Sequence, residues 1–143
     1  MSDDLTAFLR DRYADEALLA DGARHEASGR WKPSRTNDGG GVEYADGPDD
    51  WPEAASSGIV VYDEGSPTRE QAEHIAYWNP RRALDEVDAK RRVLDEIDEH
   101  WDDANPIGGR GSQFLPQEWK RVLKALAQSY GSHPAFRDDW EIT

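Results

Sequence analysis

Histidine, arginine and carboxylate are the side chains with which this chain could do chemistry, and their spacing suggests three arrangements. Glu96 and His100 stand four residues apart on a predicted helix with Asp103 one turn further on, so oxygen and nitrogen donors share a face as a divalent metal would require. A helix rich in Asp and Glu produces that spacing without a metal, and no His-Glu-x-x-His motif accompanies it; neither metal nor cofactor is expected. His74 and His133 each fall beside a helix end, where an imidazole either meets backbone carbonyls and packs its ring or serves a ligand. The third arrangement is Lys90-Arg91-Arg92 with Arg81 and Arg82 upstream, guanidinium forks able to take a phosphate or a carboxylate. Glu86, Asp88, Asp95 and Glu96 compete from within helical reach, which makes a salt-bridged surface the more economical account. Arg91, between Val87 and Leu94, points toward an apolar stripe. It is therefore expected to be more buried than Lys90 or Arg92 and to pair with a carboxylate such as Glu16.

Nucleophilic chemistry is poorly supplied. Cysteine is absent, no Gly-x-Ser-x-Gly elbow occurs, and Gly108-Gly109-Arg110-Gly111-Ser112 lacks the lysine of a phosphate loop. Six tryptophans are many for this length. Trp101 and Trp119 fall on predicted core faces, whereas Trp51, Trp78 and Trp140 fall at loops or termini, where an exposed indole suggests a partner contact and a buried one a lean core filled with large rings.

The elements that must position these groups are legible from periodicity. Leu5, Phe8, Leu9, Tyr13, Ala17 and Ala20 recur at spacings of three and four behind Ser2, Asp3 and Asp4, which predicts a helix over 3–23. From 27 to 63 glycine, proline, serine and aspartate punctuate short β-prone pieces at Trp31, Val42 to Tyr44 and Ile59 to Tyr62. Asn37 to Gly41 reads as a hairpin tip, and the segment predicts two or three short antiparallel strands. A helix over 67–76 follows, with Thr68 and Gln71 as a capping box, and then a break at Asn79-Pro80, an N-cap followed by a residue suited to the first helical position. The helix over 80–101 carries Leu84, Val87, Leu94, Ile97 and Trp101 on one face. The last helix, 116–130, has Trp119, Val122, Leu123, Leu126 and Tyr130 inward and Gly131 at its C-cap, and 131–143 forms a tail. The expected fold is α+β: about four helices packed with a small antiparallel sheet, in a single domain over 1–143.

Composition bounds the partners. A formal net charge of -13 argues against direct nucleic-acid or anionic-membrane binding and favours a basic protein partner. The chain is nowhere apolar over the roughly 20 residues of a membrane span, and no secretory signal opens it, so a cytoplasmic protein is expected. Residues 105 to 143 escape the acidity, with a net charge of +1. Arginine outnumbers lysine 13 to 4, a bias that genome composition could produce as readily as function.

Two segments carry a resemblance. His74, Ile75 and Ala76, then Pro80, Arg81 or Arg82 and Leu84, then Lys90, Arg91 and Arg92 form one; Tyr130, His133, Pro134, Phe136, Arg137 and Trp140, in the pattern Tyr-x-x-His-Pro-x-aromatic-Arg-x-x-Trp, form the other. Together they resemble an uncharacterised family of small actinobacterial and actinophage proteins that carries a domain of unknown function. Residues 32 to 66 match little of it, and Tyr77-Trp78-Asn79 stands where members often have a second histidine. The resemblance implies host range and architecture and supplies no catalytic residues. The leading expectation is a non-catalytic acidic accessory factor that binds a basic protein through Asp49, Asp50 and Trp51, with His74, Trp78, Arg81, Arg91, His133 and Trp140 as further contact candidates. The alternatives are a nucleic-acid mimic that occupies a DNA-binding protein's basic groove, and a small hydrolase or transferase built on His74, His133 and the arginine cluster.

Overall fold

The computed structural model describes residues 4–24, 29–34, 41–45, 59–61, 67–104 and 117–143, with backbone alone at 59 and 101–104. Asp49, Asp50 and Trp51, the hairpin tip over 37–40, His25, the loop over 107–112 and the side chains of Trp101 and Asp103 lie outside the described residues. Four helices and a three-stranded antiparallel sheet are present, the α+β architecture expected: α1 Asp4–Ala23, β1 Trp31–Pro33, β2 Val42–Tyr44, β3 Ile59–Val61, α2 Arg69–Tyr77, α3 Pro80–Ala104 and α4 Gln117–Ala127. Contacts divide the chain into two compact units, one of Glu16–Val87 and one of Met1–Asp15 with Asp88–Thr143.

In the Glu16–Val87 unit the sheet runs β1-β2-β3, with Trp31 opposite Tyr44 and Val42 opposite both Pro33 and Val61. The pairing of β2 with β3 shifts register between Val42 and Glu43. α2 packs on the sheet through Ala72 and Ala76, which cluster with Val42, and Trp31, Val60, Val61 and Ile75 pack against them. The capping box at the start of α2 is complete: the Gln71 N–H donates to Thr68 Oγ1 at 3.2 Å and the Thr68 N–H donates to Gln71 Oε1 at 2.7 Å.

Gly29 fixes the start of α3. Its φ of 83° is the left-handed region, and its carbonyl accepts from the Arg81 N–H at 3.1 Å, satisfying a donor that the first helical turn leaves without a partner. A Cβ there would lie 2.9 Å from Arg24 Cβ and 3.1 Å from the Arg81 nitrogen.

In the other unit Leu5, Phe8, Leu9, Tyr13, Leu94, Ile97, Leu123, Ala127 and Trp140 are buried. Arg10 ties α1 to α3, donating to Asp98 at 2.7 Å and to Asp95 at 2.9 Å. The hydrogen bond donated to Asp98 is the main cause holding the Arg10 guanidinium above its ordinary pKa; partial burial opposes it and Asp95 reinforces it.

Three expectations need correction. Val122 is exposed and Ala127 takes its place in the core, because Leu123 and Ala127 are one turn apart and Val122 is rotated about 100° from that line. Arg91 is more buried than the exposed Arg92 and does pair with a carboxylate, but its side chain is still 40% exposed, that carboxylate is Asp88 on its own helix at 3.7 Å, and Lys90, 5.5 Å from the Tyr13 ring centre, is half-buried as well. A long cation on the flank of an apolar stripe carries its head outward and leaves its stem behind. The last helix changes to a 3-10 turn at Gln128–Tyr130, and Gly131 closes it with a right-handed φ of -56°, so its place does not depend on glycine's conformational freedom.

Candidate functional site

The corner between α2 and α3, within the Glu16–Val87 unit, gathers His74, Trp78 and Arg81 of the expected contact residues. One amide makes the corner. Asn79 Nδ2 donates to the Ala76 carbonyl at 2.8 Å, closing α2, while Asn79 Oδ1 accepts from the Arg82 N–H at 3.0 Å, opening α3. Pro80 is buried in the first position of α3, where no N–H is needed. The backbone N–H of Trp78 donates to the His74 carbonyl at 3.1 Å. The chain therefore turns sharply between the two helices and leaves the side chains of Tyr77 and Trp78 on the outside.

Those rings are 55% and 50% exposed and meet edge to face, with centroids 5.5 Å apart. Arg82 stacks on both, its guanidinium carbon 4.0 Å from the Tyr77 ring centre and 4.9 Å from that of Trp78. Glu86, one turn along α3, accepts from Arg82 at 3.3 Å and holds the fork in place. Arg82 Nε is buried with no hydrogen-bond partner, so ring faces and Glu86 supply what steadies this cation. The His74 ring, 6.5 Å from that of Trp78, continues the surface toward a shallow hollow of about 400 Å³ lined by Pro67, Glu70, Gln71 and Ile75. Glu70 there is held below the ordinary glutamate range, first by its own backbone N–H and then by the Thr68 hydroxyl.

Such a corner presents large amphipathic contact area and a cation on one exposed surface. Arg81, one of the expected contact residues, pairs with Asp85 at 3.0 Å, while Arg82 is the residue that lies over the Tyr77 and Trp78 rings. The signal for that contact was present in a Tyr-Trp pair ahead of Asn-Pro, with an arginine four residues after the tryptophan.

His133 and Trp140 belong to the other unit, as does Arg91. Trp140, for which the sequence left both an exposed contact and a buried filler ring open, is only 7% exposed. The reason is a run of tight turns: the His133 N–H donates to the Tyr130 carbonyl at 2.8 Å, Phe136 to His133 at 2.8 Å, and Trp140 to Arg137 at 2.9 Å. Bonds that reach three residues back bring side chains at that spacing over one another. Phe8 of α1 receives them, with ring centroids 6.1 Å from Tyr130, 5.7 Å from His133, 6.2 Å from Phe136 and 5.0 Å from Trp140. Arg12 donates to the edge of the His133 ring, and the Ala135 N–H donates to its Nδ1 at 3.1 Å. The tail signature is thus a device for packing the tail on α1.

Among the described residues no group of His, Asp and Glu is arranged to hold a metal ion, and no helix is long and apolar enough to cross a membrane. A family model described as a family of unknown function (DUF6221) matches residues 2–142. No curated protein and no solved structure matches the chain.

Proposed function

We propose, from the premise that the chain belongs to this family of unknown function, that it is a non-catalytic acidic factor that binds a basic protein partner in the cytoplasm of an actinobacterium or of a phage-infected cell. The observation that carries the reading is the Tyr77–Trp78 pair, half exposed and stiffened by Arg82. Aromatic and arginine side chains dominate binding energy at protein interfaces, and rings already held in place lose little freedom on contact. The net charge of -13 supports a basic partner by steering encounter, and disfavours direct contact with nucleic-acid phosphates. The actinobacterial or phage origin rests on the His74 to Arg92 and Tyr130 to Trp140 signatures.

The test is affinity capture with the full chain, followed by calorimetry on the partner obtained. Trp78→Ala and Tyr77→Ala should each weaken binding about tenfold or more while circular dichroism stays unchanged. Association should slow as salt rises, since exposed charges are screened beyond about 8 Å at physiological ionic strength. Asp49→Asn with Asp50→Asn should slow it in the same way. A partner held equally well by both ring variants places the contact elsewhere.

A further inference from the structure

The unit of Met1–Asp15 and Asp88–Thr143 contains a cleft of about 760 Å³ between α4 and the tail, lined by four cationic and three acidic side chains in a chain where acids outnumber bases 30 to 17. Lys120, Arg121 and Lys124 line it from α4, at spacings that bring them to one side of the helix. Lys124 Nζ donates to the backbone carbonyl of Asp139 at 2.6 Å, a contact that fixes the ammonium without neutralising it. Arg121 is exposed and makes no ion pair among the described residues.

The opposite wall is built differently. Arg137 donates to both oxygens of Asp139, at 2.9 and 3.1 Å, and reaches Asp4 at 3.2 Å, so one cation is shared by two of the three carboxylate side chains lining the cleft, and Glu141 is the third. That network acts as a strut that holds the tail across the opening. Leu5 and Trp140, both buried, present apolar surface beneath it, and Ile142 is exposed at its edge. A concave site of this size, with Arg121 and Lys124 outside any ion pair among the described residues and with Trp140 and Ile142 in its lining, has room for a small ligand.

We propose that this cleft binds a small organic anion, a carboxylate or phosphate monoester whose charged head meets Arg121 and Lys124 and whose apolar body rests on Trp140 and Ile142. The site is separate from the Tyr77–Trp78 corner, and its occupancy does not depend on the protein-binding reading. In a protein of net charge -13 general attraction for anions is absent, so saturable anion binding must come from local placement.

The experiment titrates the full chain with inorganic phosphate, phenyl phosphate and phenylacetate, following the Trp140 indole and Arg121 amide signals by NMR. At least one aromatic probe should saturate at millimolar concentration or below and bind about tenfold more tightly than inorganic phosphate, which has no apolar body. The stronger of the two aromatic probes identifies the head group as phosphate or carboxylate. Arg121→Glu should weaken the aromatic probe about tenfold with the remaining spectrum unchanged, whereas the control Arg92→Glu, on α3 and outside the cleft, should leave it unaltered. Equal losses in both variants would reduce the effect to general electrostatics and overturn the proposal. Absence of a saturable shift with any probe would overturn it as well.

Discussion

Arg12 and His133, 121 residues apart in sequence, meet at the imidazole edge, with the guanidinium NH1 3.0 Å from Nδ1 and 2.6 Å from Nε2. The Ala135 N–H also donates to Nδ1, so that nitrogen accepts from both Ala135 and Arg12 of α1. Arg12 is anchored further by Asp15 at 2.9 Å and lies over Phe8, its guanidinium carbon 5.3 Å from the ring centre. Arg12→Ala and His133→Ala should each cost about 1–3 kcal/mol, and the double variant should cost less than their sum. Chemical denaturation of the four proteins checks the coupling, and strict additivity would mean the contact contributes nothing.

Gly29→Ala should be the more damaging kind of small change. The substitution places a Cβ in left-handed backbone and within 3.1 Å of a main-chain nitrogen that cannot move without disturbing the start of α3. A loss of about 1–3 kcal/mol is expected in thermal unfolding, with the Arg81 amide newly open to hydrogen exchange.

Asn79→Ala removes the closing bond of α2 and the opening bond of α3 together. A loss of about 1–2 kcal/mol is expected, against a few tenths for Asn79→Gly if the cap alone mattered. Tryptophan fluorescence adds a second reading, since loosening the corner should shift the emission contributed by Trp78 in a spectrum compared with that of Trp78→Phe.

Acid should loosen the first turn of α2. The Glu70 carboxyl is lowered in the folded protein, so its contribution is present above the ordinary glutamate range and is lost as pH falls through the lowered value. The Gln71 amide should lose protection over that range in the native protein, and Glu70→Gln should abolish this pH dependence. A Gln71 amide that behaves identically in both would remove Glu70 from the account.

Local rules made the elements legible. The Thr68/Gln71 and Asn79/Pro80 signals act over three or four residues, and the structure places each bond where those spacings put it. The burial of Val87, Leu94 and Ile97 followed equally from helical period. What escaped depends on tertiary placement. Trp140 looks terminal in sequence, and its burial follows from Phe8, 132 residues away. Arg81 and Arg82 are interchangeable by type, and the geometry of the α2–α3 turn decides which one meets the rings.

The Asn79 clamp also has a chemical lifetime. Asparagine ages chiefly when the backbone nitrogen of the next residue attacks the side-chain amide, closing a cyclic imide that reopens as aspartate or isoaspartate. The next residue here is Pro80, whose nitrogen carries no hydrogen and is already bonded to three carbons, so that route is closed. The proline that opens α3 therefore also preserves the amide that joins it to α2, at a position where conversion to a carboxylate would cost the donor that closes α2.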